Sequence, residues 1–210
     1  MSMPYQPGES LRSGASFAAA LIAGGRSRRM EGRDKALLDC EGVPMWKRQL
    51  RVLGDLNPRP LLLSAREDQI WTEDVNREVI LVPDPPNFDQ GPLGGIVRCL
   101  EVAQAPLVVL GIDLPRVTPE WIRGNLLSHP AARRGVFFKG VMGYEPLVGL
   151  YHPSMLESMR DALGAGRLSL QSVIAECIDL GLAMEVPVTP EIEAALGNAN
   201  TPEEWDRLST

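Results

Sequence analysis

Apolar residues fall along this chain in two rhythms. Four runs are apolar without alternation: SFAAALIA at 16–23, RPLLLSA at 59–65, REVILVP at 77–83 and APLVVLGI at 105–112. Uninterrupted runs of this length, the first of them stopped by Gly24 and Gly25, predict strands buried on both faces, as in a parallel sheet. Between them the spacing changes to that of a helix with one covered face. Trp46, Leu50 and Leu53 stand at i, i+4 and i+7, and Leu93, Ile96, Val97 and Leu100 at i, i+3, i+4 and i+7. Thr118, Pro119 and Glu120 form a helix start, with a capping hydroxyl, a proline at the first helical position and an acid near the positive end of the dipole. Thr201, Pro202, Glu203 and Glu204 repeat that signal, so a short final helix is expected there. The segment GVFFKGVMGYEPLVGLY at 135–151 breaks the alternation and reads as a hairpin or antiparallel addition that walls one side of a site. The expected fold is α/β: a three-layer sandwich around a mostly parallel, Rossmann-like sheet, with right-handed crossovers and a small antiparallel addition.

Composition narrows the picture. With 210 residues and 44% apolar content, the chain reads as one domain over 15–210 behind a loose polar tail at 1–14. Twenty-seven carboxylates against 21 Lys and Arg exclude a general nucleic-acid or membrane-surface binder, which needs basic charge spread over a face. Cys40, Cys99 and Cys177 are far apart and form no CxxC pair, so neither a disulfide framework nor a zinc site is expected. They are read as buried apolar side chains in a reducing, cytoplasmic protein. No apolar run reaches the roughly 18 residues that cross a bilayer. The run at 17–24 is not read as a secretion signal, because cleavage there would remove the first core strand.

The basic charge is local. LIAGGRSRRMEGRDKALL at 21–38 follows the first apolar run with two adjacent glycines, four arginines and a lysine. Glycine admits a ligand close to the backbone, and clustered cations favour an anionic one. The stretch contains neither GxxxxGK[ST] nor GxGxxG, so it is neither a P-loop nor a dinucleotide-binding turn. In open parallel sheets ligands bind beyond the carboxyl ends of the strands. Two carboxylates occupy such positions: Asp84 after the strand ending at Pro83, and Asp113 after the one ending at Ile112. Asp84, within PDPP, also suits a simple turn. Asp113 stands too early to cap a helix that starts at Thr118. The arginines at 26, 28 and 29 also suit an exposed solvated loop, whereas Lys35, followed by the apolar ALL, does not.

The 21–38 stretch resembles the signature LAGGxSxRMGxDK of the nucleotidyltransferases that act on the molybdenum cofactor. EGVPMW, DQGPLGGI at 89–96, GIDLPRVTPEW at 111–121, EPLVGLY at 145–151 and NANTPEEW at 198–205 agree in order and spacing. The first motif alone implies a nucleotide-diphospho-sugar transferase-like fold; the closing NxNTPEE resembles the MobA-type molybdenum cofactor guanylyltransferases. The resemblance implies that the backbone of Ile22, Ala23 and Gly24 reads the nucleobase, that Gly25 opens the phosphate turn, and that Arg29 and Lys35 face the triphosphate. It further implies nucleotide contacts from Ser64 and Asp84, Mg2+ held by Asp113, and a pterin side formed by Arg167, Asn198 and Asn200. Glu31 stands where the family usually has glycine, Ser64 where asparagine is frequent, and Arg167 alone where some relatives have consecutive arginines.

The activity so implied is transfer of GMP from GTP to the phosphate of molybdopterin, with pyrophosphate released. Its partners would be the two substrates and, beyond them, cofactor-insertion proteins or receiving molybdoenzymes. The attacking phosphate monoester, with a second pKa of about 6, is already anionic at neutral pH and needs no general base. That agrees with a chain whose only histidines, His129 and His152, stand in expected surface loops. The rival expectations are a relative that uses CTP or a sugar phosphate, and a nucleotide-binding adapter without catalysis.

Overall fold

The computed structural model describes residues 16–25, 34–85, 90–129 and 133–197. The expected tail, the arginine loop with Arg29 and Glu31, the asparagines Asn198 and Asn200, and the helix expected at Thr201 lie outside the described residues.

The four apolar runs are strands: β1 (Ala18–Ile22), β4 (Leu61–Arg66), β5 (Val79–Asp84) and β6 (Leu107–Gly111). β5 departs from the expected burial on both faces: it is an edge strand in which only Val82 is buried, with Ile80 and Leu81 exposed, because among the described residues no strand pairs with its outer side. β2 (Asp39–Cys40) and β3 (Val43–Pro44) pair as a small antiparallel ribbon ahead of α1 (Met45–Gly54). α2 (Gly91–Ala103) joins β5 to β6. Thr118 caps α3 (Pro119–Ile122) as expected, its hydroxyl accepting from the Trp121 amide at 3.2 Å, and the helix then widens into a π-type turn over Arg123–Leu127. The glycine-broken segment is the hairpin of β7 (Gly135–Gly140) and β8 (Gly143–Tyr151). α4 (Leu156–Gly164), α5 (Leu170–Asp179), β9 (Ala183–Pro187) and α6 (Pro190–Ala195) follow.

Seven strands form one sheet in the order β5-β4-β1-β6-β8-β7-β9. β1 pairs in parallel with β4 and β6, β4 with β5, and β7 with β9; β8 is antiparallel to both its neighbours. Among the described strands of this sheet, β8 alone runs against the rest. The expectation of a mostly parallel sheet with an antiparallel addition holds.

The missing alternation of β1 has a direct cause: both of its faces are covered. Ala19, Leu21 and Ala23 pack with Met45, Trp46 and Leu53 of α1, and with Ile122 and Leu126 after Thr118. Ala18, Ala20 and Ile22 pack with Leu93, Ile96 and Leu100 of α2 and Met159 of α4. Two helical layers enclose the sheet. Leu21, Leu62, Leu63 and Leu110 are fully buried, each side chain contributing about 1.5–3 kcal/mol by leaving water. All three cysteines are buried free thiols, and burial pushes the Cys99 thiol up to about 12.

Candidate active site

From β1 the chain steps outward to β4 and β5, then returns through α2 to β6 on the other side of β1. The strand order therefore reverses beside β1, where an open α/β sheet leaves a crevice at its carboxyl edge. Register brings the predicted residues to this edge: Ile22 lies opposite both Ser64 and Gly111, and Arg66 opposite Asp84.

Lys35 and Asp113, 78 positions apart, meet here. Lys35 Nζ donates to Asp113 Oδ2 at 3.1 Å, with the two side chains 13% and 20% exposed. Lys35 opens a short 3₁₀ turn over Lys35–Leu37, capped by Asp34, whose Oδ1 accepts from the Ala36 amide at 3.0 Å. Asp34 Oδ2 accepts from Gln69 Nε2 at 2.8 Å and from Trp71 Nε1 at 3.0 Å. The indole stacks on Trp46 with ring centroids 5.4 Å apart, so the turn is tied to the core under α1. Asp113 sits in the turn after β6, which fully buried Gln49 supports by donating to the carbonyls of Leu114 at 2.9 Å and Gly111 at 3.4 Å.

Asp84 is the last residue of β5, and its carboxylate is shared. Oδ1 accepts from the Arg98 guanidinium on α2 and from the Ser64 hydroxyl at 3.3 Å. A β-carbon on Gly24 would overlap the same carboxylate, and one on Gly95 would overlap the Ser64 hydroxyl. Glycine at these two positions lets β1 and α2 close on the β4–β5 edge. Ser64 is 1% exposed, so its hydroxyl supports Asp84 from beneath the rim.

Arg167 is placed apart from this group, in the connection between α4 and α5, where it pairs with Glu176 at 2.6 Å. His152 stands in a loop, as expected, but is half-buried there, and its Nδ1 accepts from the Ser154 amide at 3.2 Å. It follows Tyr151, which pairs with Leu107 at the start of β6, so it lies at the sheet edge opposite Asp113. Burial lowers its pKa.

Several residues at the rim carry no expectation from sequence. Glu145 is one. β8 runs antiparallel to β6, with Leu110 opposite Val148, so the residues of β8 before Val148 lie toward the turn that carries Asp113, and Glu145 feels its charge. Burial, and then the Asp113 charge, raises the Glu145 carboxyl above its usual range. Gln49 had a readable signal, since it lies three residues after Trp46 on the stripe that α1 buries, where an amide must find partners. Arg66 and Gln69 are hidden in an ordinary-looking strand-to-turn segment.

The glycine turn, ammonium and carboxylate at the reversal point of a mostly parallel sheet place the molecule among α/β proteins of the nucleotidyltransferase type. The model of the MobA-like NTP transferase domain matches residues 19–180. The chain is 32% identical over 197 residues to a probable molybdenum cofactor guanylyltransferase of Opitutus terrae, covering 92% of this chain and 95% of that one. It is 30% identical over 184 residues to a molybdenum cofactor guanylyltransferase of Pseudomonas putida, covering 87% and 92%. In structure it resembles the molybdopterin-guanine dinucleotide biosynthesis protein A of Archaeoglobus fulgidus, with a TM-score of 0.73 at 20% identity over 92% of this chain and 97% of that one. The chain belongs to the MobA-like NTP transferase family.

Proposed function

We propose that this nucleotidyltransferase moves GMP from GTP to the terminal phosphate of molybdopterin, or of its molybdenum-loaded form, and releases pyrophosphate. The observation that carries the reading is the meeting of Lys35 and Asp113 at 3.1 Å, beside the turn after β1. Relatives named for guanylyl transfer to the molybdenum cofactor, aligned over most of their length, supply the base and the acceptor.

In this reading Ile22, Ala23 and Gly24 meet the base, the turn that the Gly24 and Gly25 amides form, together with Arg29, meets the phosphates, and Asp84 the nucleoside, with Ser64 acting through Asp84. Arg167, Asn198 and Asn200 form the acceptor side. The donor set fits Mg2+, which keeps several waters and takes one or two carboxylates. Asp113 would hold it, with Glu145 across the strand gap, and no group of three His, Cys, Asp or Glu stands among the described residues. The ion supplies Lewis-acid stabilisation of phosphate charge. Lys35 moves from Asp113 to the triphosphate and stabilises charge that develops on the departing pyrophosphate. The attacking phosphate is already ionised, so no histidine is required at the rim. The protein would act in the cytoplasm and pass its product to insertion proteins or molybdoenzymes.

A second reading, a relative selective for CTP, is favoured by Ser64, whose short side chain is buried at a position where guanylyltransferases often carry asparagine. Pyrophosphate release with GTP, CTP, ATP and UTP, with and without molybdopterin, separates the two. Release with GTP alone and only with the pterin is expected. Pterin-dependent release with CTP would install the second reading, and nucleotide binding without release would favour an adapter.

A further inference from the structure

The carbonyls of three consecutive residues after β1 are each taken by a side chain from the end of β4 or the turn that follows it. Gln69 Nε2 donates to the Ala23 carbonyl at 3.2 Å, and Arg66 NH1 donates to the carbonyls of Gly24 at 3.1 Å and Gly25 at 2.9 Å. Both side chains are themselves fixed. Arg66 Nε donates to Asp68 at 2.8 Å. Gln69 is 3% exposed; its Oε1 accepts from the Arg66 amide at 2.8 Å, and Nε2 also donates to Asp34 at 2.8 Å. Its amide is thereby satisfied on both ends and cannot flip without losing bonds to a carboxylate and a backbone N–H.

A planar trans peptide points its N–H opposite to its C=O. Holding the Ala23 carbonyl toward Gln69 therefore aims the Gly24 N–H the other way, and holding the Gly24 carbonyl toward Arg66 does the same for the Gly25 N–H. Among the described residues no group accepts from either N–H, and Gly24 is half-buried while Gly25 is exposed. Successive N–H groups aimed to one side form a concave anion site.

We infer that Arg66 and Gln69 are positioning residues that turn the Gly24 and Gly25 amides into a fixed donor pair for a polyphosphate, with Gln69 also tying that pair to Lys35 through Asp34. The inference deepens the proposed function and rests on it for the identity of the anion. Because Arg66 acts through carbonyls, its effect is on peptide orientation and not on Coulomb attraction.

The test uses the full chain and two variants. Arg66→Met removes the donors while keeping the aliphatic stem at a partly exposed site. Gln69→Glu keeps the shape but sets a carboxylate against Asp34 and the Ala23 carbonyl. Calorimetry with GTP and with inorganic tripolyphosphate is expected to show about a tenfold or greater loss of affinity in Arg66→Met, equal for the two probes. The loss should persist at high salt, where a direct charge effect is screened, with KM for GTP rising more than kcat falls. Gln69→Glu should lose as much or more; if it does not fold, Arg66→Met decides alone. Unchanged affinity in Arg66→Met, a loss that vanishes at high salt, or a loss confined to GTP would each overturn the inference. A wild-type chain that binds neither probe would remove the proposed function as well, whereas wild-type binding matched by Arg66→Met removes this inference only.

Discussion

The sheet has two parts that handle polar groups differently. Around β5, β4, β1 and β6 lie Gln49, Ser64 and Gln69, the buried polar residues among those described, and each bonds to a group at or next to the carboxyl edge. Around β8, β7 and β9 the charged pairs stay outside: Lys139 with Glu185 at 2.7 Å, and Arg167 with Glu176 at 2.6 Å, all more than a third exposed. Burying an amide or hydroxyl costs free energy unless every partner is supplied. The parallel part accepts that demand where loops bearing Asp113, Asp84 and Gly24 have to be held still. The other part needs no such buried polar supports among the described residues; because β8 is reversed, its early residue Glu145 lies toward the same rim as the ends of the parallel strands.

The sharpest way to break this contrast is at Asp113. Asp113→Asn keeps the shape and removes the charge, and should lower turnover by about 10²-fold or more at saturating Mg2+. Pyrophosphate release near the wild-type rate would take Asp113 out of the mechanism. Lys35→Ala comes next, with triphosphate affinity and turnover falling together; calorimetry and steady-state kinetics that both match wild type would count against its role.

Gln49→Leu tests the buried polar supports directly. It leaves the Gly111 and Leu114 carbonyls without their donor and should cost about 1–3 kcal/mol of stability, read as a lower denaturant midpoint with unchanged slope. Lys139→Ala, on the scaffold side, should leave the midpoint where it was, as exposed ion pairs contribute little. Equal effects from the two variants would erase the distinction drawn between the two parts of the sheet.

His152 gives the smallest effect. Its folded pKa is lowered by burial, so the stability linked to its neutral form is complete above the ordinary value of 6.5 and is lost as pH falls through the lower folded value. His152→Asn retains a capping acceptor without titrating. Thermal melts should show the variant losing less stability than wild type on acidification from about pH 7 to pH 5, with activity at neutral pH unchanged.

Much of the frame was legible because burial leaves a local trace. Leu93, Ile96, Val97 and Leu100 revealed the phase of α2, and the Thr118 cap stands where its chemistry placed it. β9 left no such trace: it is an edge strand in which only Ala183 is buried, so its pattern resembles a loop. α4 and α5 each bury one stripe under intervening polar residues, and the chain between His152 and Gly197 was read only through scattered motifs. At the site, Asp84 and Asp113 were visible as charges placed after apolar runs, and Lys35 as one placed just before the apolar ALL. Arg66 and Gln69 were not, since nothing local marks a side chain whose partner is a carbonyl more than 40 residues earlier.

By itself, the sequence determined which segments become strands and helices and where glycine and charge interrupt them, because periodicity and capping depend on neighbours a few positions apart; that β5 takes an exposed edge was set by strand order. Only the tertiary structure decided that Lys35 meets Asp113, that β8 runs backwards to bring Glu145 beside them, and that two side chains orient the peptides of the glycine turn. Those outcomes follow from strand order and register, which are set by packing between distant segments and leave no signature in either one alone.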